Sequence, residues 1–459
     1  MNTLTMNPPE KFLDFETFPI AAIPLSANQM QKAADLSSKI FNEEYQWKTY
    51  LNALALFGFE DWISQRSNSL TINSDRASIF QPEVANVMPA VSCLQVGDFQ
   101  VCLIATGTLA DDQVSLPQAV VELPEFMADF YVVVEVEEDR EIAVVSSFIS
   151  YQELSEQLTK VDLSATAEWN YEVPLGWFDN QPDILLLYLH CLEKAAISLP
   201  KIPTNRLSNL SRMQGELIKL LPKLQSSDRQ LWQILTWEQA KAIITSPELL
   251  HWIYQNQLTT GSSHDANSPL LHLADLLQLL TQPAINVGKW LQEELDELAQ
   301  QLSWVLLPNV PSGAMRSLNI DLSPGEEFQV IVTQIQQKGL EIPPDARGAY
   351  QDFRLEGMSL RLYAVTWALI SEADPHYWTL LLILGAPVGA ALPKNLKWRV
   401  SDRDSILVEQ VLNSERGDAY LFTRVIGSWE EKFLVTVGLI NGVELTLPAF
   451  TFTGFTPKL

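Results

Sequence analysis

Apolar residues along this chain change their spacing several times, and each change marks a different kind of element. From about Ala27 to Asn42 they fall at helical intervals (Ala33, Leu36, Ile40), with Ser26 placed to cap the start. A second helix is predicted from about Tyr45 to Gln65. Trp47, Tyr50, Leu51, Leu54, Phe57 and Trp62 lean to one side, and its centre, LNALALFGF, is apolar nearly all round, as in a helix packed on several sides. From residue 92 the period becomes two. SCLQVGDFQVC (92–102) turns at Gly97-Asp98, and FYVVVEVE (130–137) puts Val132, Val134 and Val136 on one face before Glu138-Asp139-Arg140 turns the chain into EIAVVSSFI. Ser150 and Glu153 then fit a capping box for a helix through about Leu158, so this part reads as helices on an antiparallel sheet.

The middle is helical and interrupted. ILLLYLHCLEKAAISL (184–199) gives way at Pro203, further helical pieces surround WQILTWEQAKAII, and LTTGSSHDANSP (258–269) is a run of turn formers. NVGKWLQEELDELAQQLSWVLL predicts one amphipathic helix over 286–307, with Leu291, Leu295, Leu298, Leu302 and Val305 as its apolar stripe. Eight short strands follow: FQVIVTQI, LRLYAVTWAL, YWTLLLIL, LKWRVSD, ILVEQVL, AYLFTRVIG, KFLVTVGLI and VELTLPAF. Asn441-Gly442 sits between the last two as a hairpin signal. Strands at this spacing predict a β-sandwich. The fold class expected is α+β: an α+β domain over 1–165, a helical region with flexible loops over 166–310, and an antiparallel β-sandwich domain over 311–459.

Composition narrows the functional classes. The 459 residues are 47% hydrophobic, ample for packed cores, and 30 basic against 56 acidic side chains give a net charge of −26, which repels phosphate backbones and argues against nucleic acid as a partner. The most apolar run, YWTLLLILGAPVGAALP, is broken by Gly385, Pro387 and Gly389 and is too short to span a bilayer, so a buried strand is expected there and no membrane segment. The opening segment has no basic n-region and is cut by Pro19 and Pro24, and three cysteines are too few for a disulfide scaffold. A cytoplasmic location is expected.

Candidate chemistry is sparse. A two-residue turn at Gly97-Asp98 pairs Cys93 with Cys102 at a non-hydrogen-bonded position, where a cross-strand disulfide is sterically possible; these two residues are the candidate redox pair. Equally, both can serve as small hydrophobes. Of the five histidines, His264 beside Asp265 and His272 near Asp275 have no second cluster to complete a metal site or a triad, and the chain has no GxSxG, P-loop or HExxH motif. Neither catalytic residues nor metal ligands nor a cofactor are therefore assigned. Against the global charge, Lys201, Arg206, Arg212, Lys219, Lys223 and Arg229 face only Glu216 and Asp228, a basic island that could dock an acidic protein partner.

YLNALALFGFEDWI, GDFQVCLI, ADFYVVVEVEEDREIAVVSSFI, INVGKWLQEELDELAQQLSWVLL and ALPKNLKWRVSD, in this order, resemble a cyanobacterial family of unknown function, domain-of-unknown-function family 1822. The resemblance carries over no functional residues. It implies a setting near caspase-like CHAT protease and sigma-factor genes, and hence a role in signalling or stress response. The expected function is a non-enzymatic interaction or regulatory protein with a protein partner, in which the basic island and the 286–307 helix are the contact elements. Two alternatives stand beside it: a substrate of a caspase-like protease, cut in the 200–270 region, and a thiol redox switch.

Overall fold

A computed structural model describes residues 22–89, 91–107, 112–225, 229–258, 268–308, 323–369, 376–387, 392–393, 395–412, 420–440 and 442–454. The chain divides into two compact units, one drawn from Met1–Thr204 and Lys223–Thr260, the other from Asn205–Pro222 and Gly261–Leu459. The region expected as a separate helical middle is thus shared between them.

The first unit runs β1 (Ile23–Pro24), α1 (Ala27–Ser37), α2 (Glu43–Arg66), β2 (Ile72–Asn73), α3 (Pro82–Ala85), β3 (Ser92–Val96), β4 (Phe99–Thr106), β5 (Gln113–Pro117), α4 (Gln118–Glu122), β6 (Phe130–Glu137), β7 (Ile142–Ser150), α5 (Tyr151–Val161), β8 (Asn170–Pro174) and α6 (Pro182–Cys191). Capping boxes at Ser26/Gln29 and Ser150/Glu153 start α1 and α5. α1 ends before the expected Asn42, because that residue caps α2, its side-chain oxygen accepting from the Tyr45 amide at 3.1 Å. Six strands form a sheet in the order β1-β7-β6-β4-β3-β2.

The sheet is mixed rather than wholly antiparallel. β4 and β6 run parallel, because the chain leaves β4 through β5 and α4 before it returns. Alternation sends Phe99, Val101, Leu103, Phe130, Val132 and Val134 to the face that α2 covers. That approach is close: a Cβ at Gly58 would stand 2.4 Å from the Ala143 Cβ. The opposite face carries Cys93, Cys102 and Tyr131, and the Tyr131 hydroxyl donates to the Val120 carbonyl of α4 at 2.6 Å. Later in the chain α7 (Arg206–Leu220) belongs to the second unit, whereas α8 (Trp237–Ile244) and α9 (Pro247–Leu258) return to the first.

The second unit continues with α10 (Ser268–Thr281), β9 (Ala284–Asn286), α11 (Glu297–Gln301), β10 (Val305–Leu306), α12 (Pro324–Gln337), β11 (Arg347–Leu355), β12 (Met358–Leu369), β13 (Tyr377–Gly385), β14 (Leu396–Ser401), β15 (Ile406–Val411), β16 (Tyr420–Ser428), β17 (Lys432–Leu439), β18 (Glu444–Thr446) and β19 (Ala449–Thr451). Its two sheets, β10-β11-β12-β13-β16 and β15-β14-β17-β19-β9 with β18 added to β17, enclose one core of Leu360, Leu362, Trp378, Leu380, Trp398 and Val435 among others. This is the expected sandwich in architecture, with a helical layer on each outer face, but it is not wholly antiparallel, since β9 joins β19 in parallel, and β9 and β10 come from before residue 311. α12 packs Phe328, Val332 and Ile335 on Tyr363, Val365 and Leu381, while Leu279 of α10 meets Leu434 and Ala449, and α7 lies on α10.

Three expectations are corrected in this unit. FQVIVTQI is helix α12, started by a Ser323/Glu326 capping box with Pro324 in the first turn; Phe328, Ile331, Val332 and Ile335 then fall on one helical side. The 286–307 segment is not one helix. It comprises a 3₁₀ stretch at Val287–Gln292, α11 and β10, because Glu293 (φ 63°) and Ser303 (φ 61°) are left-handed and because Trp290 and Trp304 turn inward against Phe450. VELTLPAF splits into β18 and β19 around Pro448, which has no amide to donate. β11 lies in a stretch that had no strand expectation, and Asn441 of the expected hairpin turn lies outside the described residues.

Candidate functional site

The β3–β4 hairpin takes the register expected from its turn. Gly97 has φ 57°, and the opposed pairs are Val96 with Phe99, Gln95 with Gln100, Leu94 with Val101 and Cys93 with Cys102. Counting from the closing pair places Cys93 and Cys102 at a non-hydrogen-bonded position, the closer of the two kinds, with Cα atoms about 4.5 Å apart. Both are free thiols, Cys93 half-buried and Cys102 buried. Cys93 Sγ lies 3.6 Å from the Phe126 carbonyl oxygen. A hydrogen bond with Cys93, and then burial, push the Cys102 thiol well above its ordinary pKa, so at neutral pH it stays protonated.

Cys102 also forms part of the wall of a cleft of about 360 Å³ in the same unit. Among the described residues β3 pairs with β4 as far as Ser92–Leu103 and β6 stays beside β4 to Thr106, and the cleft runs along the last residues of β4. Because backbone groups alternate sides along a strand, Ala105 points its N–H and C=O to the same side as Leu103's, that of β3, and Ala105 also lines the cleft. Trp47, Lys48 and Leu51 of α2 make one wall, and the β5–β8 ribbon makes the other. On that ribbon Ser115 Oγ donates to Glu172, directly opposite it, at 2.9 Å.

Trp47 was expected on the buried side of its helix, yet it is 51% exposed and stacks on Tyr50 with centroids 5.6 Å apart. Lys48 reaches back to Glu44 at 2.6 Å. Ser115 has a carboxylate as its partner and no imidazole between, so the pair lacks the relay of a nucleophilic triad. What the cleft offers is hydrogen bonding and aromatic contact.

The other sequence candidates lie elsewhere. Arg206, Arg212 and Lys219 are on α7, and only Arg212 and Lys219, seven residues apart, share a side of it. Lys201, Lys223 and Arg229 are exposed in the first unit, so the island is divided between the units. His264, Asp265 and the rest of 259–267, part of the 200–270 region where the protease cut was expected, lie outside the described residues. His272 is buried with Nε2 3.3 Å from the Asp402 carbonyl oxygen, and Asp275 is bound to Arg399. Among the described residues no cluster of His, Cys, Asp or Glu could hold a metal ion, and no helix is long and apolar enough to cross a membrane.

The model of the family described as protein of unknown function (DUF1822) matches residues 23–445. The chain belongs to the DUF1822 family. No curated protein and no solved structure matches it. The DUF1822 match includes both the cysteine hairpin and the cleft. Sequence reading found the first because a two-residue turn sets a register. It missed the second because the cleft draws its walls from α2, β4, β5 and β8, which no local pattern connects.

Proposed function

We propose that this protein acts by binding, and that the first unit's cleft takes a short extended segment of a partner protein as an added strand on β4. The observation that carries this reading is the cleft that Ala105 and Thr106 line at the end of β4, beyond the last described β3–β4 pair. Strand addition draws affinity from main-chain groups and specificity from pockets for alternate side chains. Trp47, exposed at the rim, supplies an aromatic anchor of the kind that dominates interface energies. Three free cysteines suit a reducing cytoplasm as the setting, and the net charge of −26 favours a protein partner over nucleic acid.

The test is selection of short peptides from a displayed library on the full chain, followed by hydrogen exchange with the selected peptide bound. Expected are protection of the amide of Ala105 and a loss of about tenfold or more in affinity on Trp47→Ala, the effect of about 1.4 kcal/mol. Selected peptides that bind with Ala105 unprotected and Trp47→Ala without effect would overturn the reading.

A further inference from the structure

Two thiols that face each other across a hairpin differ here in a way that orders their chemistry. Cys93 is half-buried, whereas Cys102 opposite it is 1% exposed. A reagent arriving from solvent therefore meets Cys93 first. The third cysteine, Cys191, is exposed at the end of α6 and stands apart from the hairpin in sequence. At a non-hydrogen-bonded cross-strand position the Cα separation of about 4.5 Å falls at the short end of the range a disulfide tolerates, so a bridge can close without moving either strand far. Because Cys93 is only half-buried, a small thiol can reach that bridge and reopen it.

We propose that Cys93 and Cys102 form a reversible disulfide pair that exchanges with small-molecule disulfides of the glutathione type. The Cys93 thiol loses its proton, and its thiolate attacks one sulfur of the reagent, breaking the reagent's S–S bond and expelling one thiolate, which takes up that proton. The mixed disulfide leaves the Cys93 sulfur as an electrophile held against Cys102. Cys102 then gives up its proton, attacks that sulfur and expels the second small thiolate, which is protonated in turn. Two protein thiols are oxidised to one disulfide, and one reagent disulfide is reduced to two thiols. The hydrogen bond with Cys93 and the burial that keep Cys102 protonated in the reduced state make it a resolving thiol and not an attacking one. This chemistry does not depend on what the cleft binds.

The test uses the full chain carrying Cys191→Ser, incubated with glutathione disulfide, quenched in acid, alkylated and read by intact mass. Expected is a loss of two hydrogens with no glutathione retained and no alkylation at Cys93 or Cys102, reversed by reduced glutathione. With Cys102→Ala added, Cys93 keeps one glutathione as a stable adduct; with Cys93→Ser instead, neither adduct nor mass loss occurs. Near-ultraviolet circular dichroism reports whether each variant stays folded. Two alkylatable thiols after incubation, or a lasting adduct at Cys93 with Cys102 intact, would overturn the proposal.

Discussion

Asp275 and Arg399 meet as a two-point ion pair inside the second unit: Nε binds Oδ2 at 2.7 Å and Nη2 binds Oδ1 at 2.9 Å, with both side chains 3% exposed or less. Ser401 Oγ also donates to Asp275 Oδ2 at 2.6 Å, so the carboxylate of α10 is fastened to strand β14 three times. Desolvating two charges is costly, and the pair holds its place because each neutralises the other. Replacing Arg399 alone strands Asp275, and replacing Asp275 alone leaves Arg399 only its 3.4 Å contact with the more exposed Glu444. Arg399→Met or Asp275→Leu is therefore expected to lower stability by about 3–5 kcal/mol, whereas the double variant recovers most of that loss. Urea denaturation of the four proteins checks this, and equal losses in single and double variants would count against it.

His272, one turn before Asp275 on α10, gives the unit a pH dependence. Burial lowers its pKa below the usual 6.5, while the Asp402 carbonyl and the carboxylates of Asp275, Asp402 and Asp404 oppose that shift without cancelling it. The folded state thus prefers neutral imidazole, and the unfolded state takes up the proton first. Its contribution is fully present above the unfolded pKa and is lost as pH falls below about 6.5 through the lower folded value. His272→Gln keeps a donor towards Asp402 and removes the titration. The urea midpoint of the wild type is expected to fall more than that of the variant between pH 7.5 and pH 5.5.

At Gly58 an ordinary helix rule should fail. Gly→Ala within a helix usually gains about 1 kcal/mol. Here the new methyl would sit 2.4 Å from the Ala143 Cβ, and overpacking of that kind costs about 1–3 kcal/mol. Gly58→Ala is expected to lower the thermal midpoint, and Gly58→Ala with Ala143→Gly to restore it. A Gly58→Ala protein more stable than wild type would show that α2 and β7 can move apart.

Arg361 pins α12 to its sheet by serving two acids at once. Nε and Nη2 bind Asp352 at 2.6 and 2.7 Å, Nη1 binds Glu327 at 2.7 Å, and Tyr363 donates its hydroxyl to Glu327 at 2.8 Å. A lysine ammonium is a point charge and cannot hold both carboxylates in this geometry. Arg361→Lys is expected to cost about 1.5–3 kcal/mol and to speed hydrogen exchange in α12 more than in β12.

Elements of the first unit were legible wherever local signals agreed. Ser26 and Ser150 announced their helices, the period-two runs gave β6 and β7, and a turn of fixed length set the cysteine register. The failures came where tertiary contacts decided. In α12 the run Phe-Gln-Val-Ile-Val reads equally as strand, and the cue that settles it is Ser323 with Pro324 and Glu326, just ahead of the apolar residues. In 286–307 the leucine spacing is sound, but Trp290 and Trp304 are buried in the sandwich core and Glu293 and Ser303 take left-handed backbone, which interrupts the helix. The cleft was illegible for a related reason: its defining feature is where β3 ends relative to β4, which follows from pairing and not from composition.

The assignment of α7 to the second unit bears on how the chain is made. Leu210 and Leu217 are buried on the side of α7 that the second unit covers, and the partner helix α10 begins about 50 residues later. At roughly 5–20 residues per second of synthesis, α7 leaves the ribosome seconds before its partner helix α10 exists, while the segments around it are completing the first unit. A truncated chain ending at residue 260 would carry α7 uncovered, and one beginning at 261 would lack it. Neither unit can be obtained by cutting the chain once.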